Sequence, residues 1–419
     1  YGLKEAGYDG YLVGGCVRDL LLGHEPKDFD IATDATPEEV KRLFRGARII
    51  GRRFRIVHVR IGRETIEVTT FRAHHDAAAK GKEAKQSDQG MLLRDNVYGN
   101  LETDAARRDF TINALYYTTQ GFEIHDFTGG AKDIEQRVIR MIGDPTTRYQ
   151  EDPVRMIRAI RFAAKLGFSI EPKTAKPIRE LAPLLEQVSE ARMFEEVLKL
   201  LMAGSATATF NLLQEYGLLA HLFPGTHAAL SKGDPVTNDL LKQAMVNTDK
   251  RIRSNKRVTP AFIYAALLWP PMQAEFARLK QDKRNQKTPD VILYQQAAQT
   301  VIRQQLKHTS IPKRFQIPMR EIWDLQQRLP QRHGKRAESL AGHPRFRAAY
   351  DFVLLREQAG EDLQGLGDWW TRYQDYDDDG RERLQGELSK DGDRKPRRRR
   401  RRKKPANSEA AVDTGNESA

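Results

Sequence analysis

Residues 12–33, LVGGCVRDLLLGHEPKDFDIAT, place two carboxylates two positions apart, Asp28 and Asp30, shortly after a double glycine, Gly14 and Gly15. On a strand, residues i and i+2 share a face, so Asp28 and Asp30 project one way and Phe29 and Ile31 the other. The glycines let the chain turn tightly into a helix, whose free N-terminal N–H groups favour an anion. A phosphate cradle beside paired carboxylates is what metal-assisted chemistry on a nucleoside triphosphate requires. Each half also has an ordinary reading, as a plain turn and as a solvated acidic pair at a strand end. Further on, TIEVTTF (65–71) alternates, with Ile66 and Val68 on one side and Thr65, Glu67 and Thr69 on the other. If that strand lies beside the aspartate strand, Glu67 becomes a third carboxylate on the same polar face. Three acids from two strands can hold two divalent ions about 4 Å apart.

Two more polar clusters stand on helical patterns. In ARRDFTINALYY (106–117), Asp109 is placed to N-cap a helix carrying Ile112 and Leu115, with Arg107, Arg108 and Asn113 around it. EDPVRMIRAIRFAAKLG (151–167) reads as a strong helix, with Asp152 as cap, Pro153 in the first position and a terminal glycine. Its buried side is Val154, Ile157, Ile160 and Ala164, and its polar side carries Asp152, Arg155 and Arg158 at spacings of three. A carboxylate facing an amino donor and a guanidinium facing a ring-nitrogen acceptor would match the Watson–Crick edge of adenine. Cytosine presents the same order and guanine and uracil the reverse, so such a pair accepts ATP and CTP and leaves buried polar groups unpaired against GTP and UTP. The alternative is that Asp152 only caps its helix and Arg155 is a surface arginine.

The elements that must position these residues fall into two halves. Up to about residue 143 short apolar runs alternate with helical stretches, the pattern of an α/β unit. Residues 48–60 read as two strands or one strand bulged around Gly51. Residues 74–103 lack hydrophobic periodicity and are expected to form a mobile surface loop. His74 and His75 at its start have no spaced Cys or His partners for a metal. Residues around Gly129 and Gly130 suggest a hairpin-like pair about a short helix. From Asp144 on, helices are expected at 172–182, 190–203, 207–216, 260–267, 320–328, 336–341 and 344–358, and disorder after about Tyr376.

Composition narrows the class. The 419 residues suffice for several domains, and with 39% hydrophobic and 30% charged residues the chain is polar, without the ~20-residue apolar run of a transmembrane helix. It opens on Tyr1, which fits a leader removed or left out, and no targeting segment is visible. A single cysteine, Cys16, excludes an internal disulfide and suits a reducing, cytoplasmic setting, where it reads as a small buried filler. Of the net charge of +13, most sits between Arg394 and Lys404 (RKPRRRRRRKK), with ten basic residues in eleven. Such a run binds polyanions without sequence preference; a localisation signal or a solvated tail are the other readings.

In order, LVGGCVRDLLLG, DFDIAT, IEVTTFR, RRDFTINAL and EDPVRMIRAIRFAAKLGF resemble the motifs of the class II nucleotidyltransferases, the family of bacterial poly(A) polymerases and CCA-adding tRNA nucleotidyltransferases. The resemblance covers about residues 10–205. It implies an α+β fold, with a small polymerase-beta-like sheet and helices followed by an all-helical neck and body and a disordered basic tail. The implied domains are a catalytic head (1–143), a neck for base recognition (144–226), an arginine-rich RNA-binding domain (227–375) and the tail (376–419). By the same resemblance Asp28, Asp30 and Glu67 bind two Mg²⁺ ions, and Gly14, Gly15 and Arg18 contact the triphosphate. Arg107, Arg108, Asp109 and Asn113 match the ribose motif, and Asp152 and Arg155, with Arg158 beside them, match the protein template for the base. Ser189, Glu190 and Arg192 match a motif that braces the template helix. Residues 49–59, IIGRRFRIVHV, resemble the signature that separates poly(A) polymerases from CCA-adding enzymes; residues 322–329 and 343–356 resemble the former's arginine-rich C-terminal domain. The expected activity is therefore template-independent addition of AMP from ATP to RNA 3′ ends, with RNA also held by the tail. A CCA-adding enzyme is the nearer alternative, and a non-catalytic RNA-binding protein the further one.

Overall fold

The computed structural model describes residues 1–51, 55–73, 84–86, 92–95 and 97–392; for 84–86, 92–95 and 389–392 only the backbone is described. His74, His75 and the basic run from Arg394 lie outside the described residues. The strands are β1 (Tyr11–Val13), β2 (Asp30–Thr33), β3 (Arg48–Ile50), β4 (Ile56–Ile61), β5 (Glu64–Thr70), β6 (Ala84–Gln86), β7 (Leu92–Asp95), β8 (Leu115–Thr118), β9 (Glu123–Asp126), β10 (Val138–Ile139) and β11 (Ser169–Ile170). Seven of them form one mixed sheet in the order β3-β4-β5-β2-β1-β8-β9. Only β2 and β5 run parallel within it. The alternation expected along β5 holds, since Val68 and Thr70 are buried while Thr65 and Glu67 are exposed.

The aspartates differ from the expected pair on one strand. Ladder pairing begins at Asp30, opposite Val13 on one side and Glu67 on the other, so Asp28 lies in the irregular chain before β2. Residues 48–60 form the first of the two alternatives, an antiparallel β3–β4 pair. The expected helix after Asp109 is only a single 3-10 turn, Thr111–Asn113, because Leu115–Thr118 fills the sheet position between β1 and β9. Parts of 74–103 are also regular: β6 pairs with β7, and Asn100 caps the helix Leu101–Arg107 through a reciprocal capping box with Thr103. The two segments flanking Gly129 and Gly130, expected to pair with each other about a short helix, do not: the helix Gly130–Glu135 lies between them, but β9 pairs with β8 and β10 with the distant β11.

From Pro145 onward the described chain is helical apart from β11 and the connecting turns. Val154–Leu166 buries Val154, Ile157 and Ile160 as expected, with Ala163 in place of Ala164, and ends on Gly167 at φ +67°. Helices Pro172–Leu181, Glu190–Leu201, Ala206–Glu215, Pro260–Leu267, Lys335–Ala341 and Phe346–Gln358 lie close to their expected spans, whereas the one expected at 320–328 starts well before it, at Lys313–Arg328, and runs through Pro318. Pro235–Arg253, Trp269–Gln281 and Asp290–Gln305 are additional, each with a polar composition that masks its apolar stripe. One buried cluster extends from Cys16 and Val17 through Ile157 and Phe194 to Trp323 and Phe352, joining the sheet region to the helices. Cys16 is the buried filler expected, its thiol donating to the Val13 carbonyl. Among the described residues no helix is long and apolar enough to cross a membrane.

The disorder expected after Tyr376 does not hold for the segment that directly follows it. Residues Asp378–Gly392 are helical, and Leu384, 1% exposed, packs with Trp369, Trp370 and Tyr373. Deleting those buried methyl groups leaves a cavity that the rigid aromatics cannot fill. Leu384→Ala is expected to cost about 2–5 kcal/mol locally, read as a lowered unfolding midpoint of the C-terminal region.

Candidate active site

The glycine turn sets one wall of the site. Gly14 caps the helix Gly15–Leu21 at φ +79°, ψ −126°, a conformation that only glycine adopts readily. A Cβ there would stand 3.5 Å from the Arg108 guanidinium, and one on Gly15 would stand 3.5 Å from that of Arg18. Arg18 is 2% exposed and donates to Asp19 and, at 2.5 Å, to the Asn113 side-chain oxygen. It thus ties the helix after the glycines to the turn after β-bridge residue Phe110.

The parallel pairing of β2 with β5 sets Asp30 directly beside Glu67. Burial, and then the Glu67 carboxylate, push the Asp30 carboxyl above its ordinary value; Arg108 opposes the shift and exposed Asp28 adds to it. His58, opposite Glu67 on β4, brings its Nε2 to 3.2 Å from the Glu67 carboxylate. Among the described residues no three His, Cys, Asp or Glu side chains gather closely enough to hold a metal ion by themselves. The paired acids nonetheless suit a cation, because a desolvated carboxyl among like charges is stabilised by one.

Beyond the acids lies a cavity of about 360 Å³, walled by Ile56, Thr69, Arg72, Asp104, Arg107, Arg108, Asp109, Asp152, Arg155, Arg158, Arg192 and Glu196. Six arginines face four acids, so the cavity is biased toward an anionic ligand. Arg108 is gripped by Asp104 and the Tyr116 hydroxyl, which in turn donates to Asp104 at 2.6 Å. Burial, together with the neighbouring Arg72, Arg148 and Arg155, draws the Arg107 guanidinium down to about 9.

Asp109 does not cap a helix. It accepts from the Phe110 N–H, from Asn113 and from Arg158 at 2.5 Å. Burial would raise its carboxyl, but the Arg158 charge and these hydrogen bonds prevail and hold it at about 2. Asp152 makes no side-chain cap either. Both its oxygens accept from Arg192, at 2.8 and 2.7 Å, so a residue 40 positions away has outcompeted the local N–H groups. Arg155 donates to Glu151 and to the Arg148 carbonyl, both at 2.8 Å. Asp152, Arg155 and Arg158, placed on one side of a helix by their spacing, therefore share one cavity with Arg107, Arg108 and Asp109. The residues missed from sequence are Arg72, Asp104, Arg148, Glu151 and Glu196. Arg72 and Glu151 stand inside the segments singled out, but nothing local marks them; Asp104 falls between the expected loop (74–103) and the segment singled out from Ala106.

Comparison with known proteins gives this geometry its context. A model of the poly A polymerase head domain matches residues 10–140. One for the probable RNA and SrmB-binding site of polymerase A matches 167–230, and one for the polymerase A arginine-rich C-terminus matches 286–404. Poly(A) polymerase I of Salmonella typhimurium is 48% identical over 378 residues, covering 89% of this chain and 81% of its own length. Its counterpart from Escherichia coli O157:H7 is 49% identical with the same coverage. The CCA-adding enzyme of Geobacillus stearothermophilus is 41% identical, but over only 53% of this chain. A solved CCA-adding enzyme of Bacillus stearothermophilus, in complex with CTP, matches with a TM-score of 0.57 at 27% identity, covering 93% of this chain and 80% of that one. The poly(A) polymerases match over 89% of this chain and the Geobacillus CCA-adding enzyme over 53%, and the chain belongs to the bacterial poly(A) polymerase I family, nucleotidyltransferases of class II related to the CCA-adding enzymes.

Proposed function

We propose that this enzyme adds AMP from ATP to RNA 3′ ends without a template, using the acids of β2 and β5 for the transfer and the arginine-lined cavity for the nucleotide. The observation that carries the proposal is the meeting of Asp152 and Arg155 with Arg107, Arg108 and Asp109 in one cavity of nucleotide size. Asp152 and Arg155, each held by a partner of opposite charge, would read the base. Arg107, Arg108, Asp109 and Asn113 would hold the ribose, and Gly14, Gly15 and Arg18 the triphosphate. Asp28, Asp30 and Glu67 would hold two Mg²⁺ ions. Mg²⁺ commonly takes one or two carboxylates and completes its shell with substrate phosphates, so a preassembled cage is not required. Bound there, the ions would supply Lewis acidity, making the 3′-hydroxyl a better nucleophile and neutralising the departing pyrophosphate.

In the same proposal residues 1–143 act as catalytic head, 144–226 as base-reading neck, 227–375 as RNA-binding domain and 376–419 as a basic extension. Removing 394–419 is expected to weaken RNA binding and to flatten its dependence on salt, because fewer counterions are released per complex. An unchanged slope in a salt titration of RNA affinity would exclude the tail as a contact. The activity itself is tested by incubating the enzyme with Mg²⁺, each NTP separately, and either a generic oligoribonucleotide or a tRNA lacking its CCA end. Long products from ATP alone on the generic RNA are expected. Addition confined to the tRNA and dependent on CTP would overturn the proposal in favour of CCA synthesis.

A further inference from the structure

Arg148 lies next to the nucleotide cavity without lining it, and it makes three connections that no local element needs. It is 8% exposed, in the last turn of the helix Pro145–Glu151. Its Nη2 donates to the carbonyl oxygens of Arg107 and Arg108, the latter at 2.7 Å. Those carbonyls terminate the helix Leu101–Arg107, where the last C=O groups have no partner within the helix. Its Nη1 donates to Glu151 at 2.6 Å, and the same Glu151 oxygen accepts from Arg155 at 2.8 Å. Arg155 also donates to the carbonyl of Arg148 itself. One planar guanidinium thus joins the turn carrying Arg107 and Arg108 to the residue that faces the base, across about forty positions of sequence.

We propose that Arg148 is a positioning residue for nucleotide selection, holding the Arg107–Arg108 turn and, through Glu151, the Arg155 side chain in a single mutual register. The inference rests on the assignment of Arg155 to base recognition. Only a fork of several donors can meet two carbonyls and a carboxylate at once; a lysine ammonium is a compact point charge and cannot span them. The arrangement is held against a cost, since burial and the nearby Arg155 draw the guanidinium down to about 10. Small displacements of positioning groups are amplified in rate, by up to about 10²-fold.

The test compares wild type, Arg148→Lys and Arg148→Ala with ATP, CTP and GTP on a generic RNA, with unfolding midpoints measured in parallel. In Arg148→Lys the KM for ATP should rise about tenfold or more, with KM for RNA unchanged and the preference for ATP over GTP reduced. Arg148→Ala, if folded, should show a larger shift of the same kind; if it does not fold, the lysine variant alone carries the test. Folded variants whose ATP KM and base preference match wild type, or whose losses fall equally on ATP and RNA, overturn the inference. Wild type failing to prefer ATP over GTP would overturn the base-reading assignment and this inference together, which separates the two failures.

Discussion

Replacing Asp30 by Asn is expected to lower AMP incorporation by about 10³-fold or more while changing RNA affinity by less than about twofold. The substitution keeps the size of the side chain and one acceptor oxygen, and removes only the charge. In the folded protein that charge sits partly buried beside Glu67, a costly arrangement that a bound cation would relieve. Losing it relieves repulsion, so the unfolding temperature should stay level or rise as activity falls. Single-turnover incorporation on a labelled oligonucleotide, together with RNA binding and a melting curve, checks all three quantities. Retention of a tenth or more of the activity, or a lowered melting temperature accounting for the loss, would remove Asp30 from the chemistry.

Asp109→Asn should produce a large, pH-dependent change in stability. Its carboxylate neutralises Arg158, and deleting one member of this pair, 11% and 30% exposed, leaves a poorly solvated unpaired charge, at a cost below the ~3–5 kcal/mol of a fully buried pair. The amide could keep hydrogen bonds to the Phe110 N–H and Asn113, so the loss is mainly electrostatic. Its sign with pH follows from the depressed carboxyl, at about 2 against an ordinary 3.8. A group depressed on folding stabilises the folded state above its unfolded value, and that contribution fades as pH falls through the folded value. Over a shift of nearly two units this amounts to about 2.5 kcal/mol. The difference in urea midpoint between wild type and Asp109→Asn should therefore be full at pH 7 and shrink between about pH 4 and pH 2. A difference independent of pH across that window would mean that the pair with Arg158 is not what Asp109 contributes. Activity should fall as well, because Arg158, which lines the arginine-rich cavity, loses its anchor.

How much of the fold and the site is legible in the chain varies with the range of the forces involved. The side-chain chemistry is: two aspartates, an alternating strand with Glu67 on its polar face, and an Asp-Pro-x-Arg helix start all announce themselves by type and spacing. So do the ends of the helix Val154–Leu166, where proline and glycine act through their own backbone preferences. Segment 106–117 departs from expectation because short apolar runs satisfy a helix or a strand about equally well by pattern alone, and the β6–β7 pair inside 74–103 because strands this short and polar carry no pattern to read. The sheet decides the first, by offering Leu115–Thr118 two hydrogen-bonded neighbours.

The sequence by itself determined which groups could take part, since ionisable types and backbone propensities are local. Only the tertiary structure decided how they are paired. Asp30 entered the ladder and Asp28 did not, because the pairing of β1 with β2 ends at Val13. Asp152 could have capped its own helix, but a bidentate guanidinium from Arg192 is a stronger partner than a solvated backbone N–H. Arg148, unremarkable in sequence, ties together residues about forty positions apart. Hydrogen bonds and charge pairs at such separations depend on where the chain folds back, and no local spacing encodes that. In the proposed function the glycine turn and the acids of residues 12–33 would carry the reaction, and the arginine cavity assembled by folding would choose its substrate.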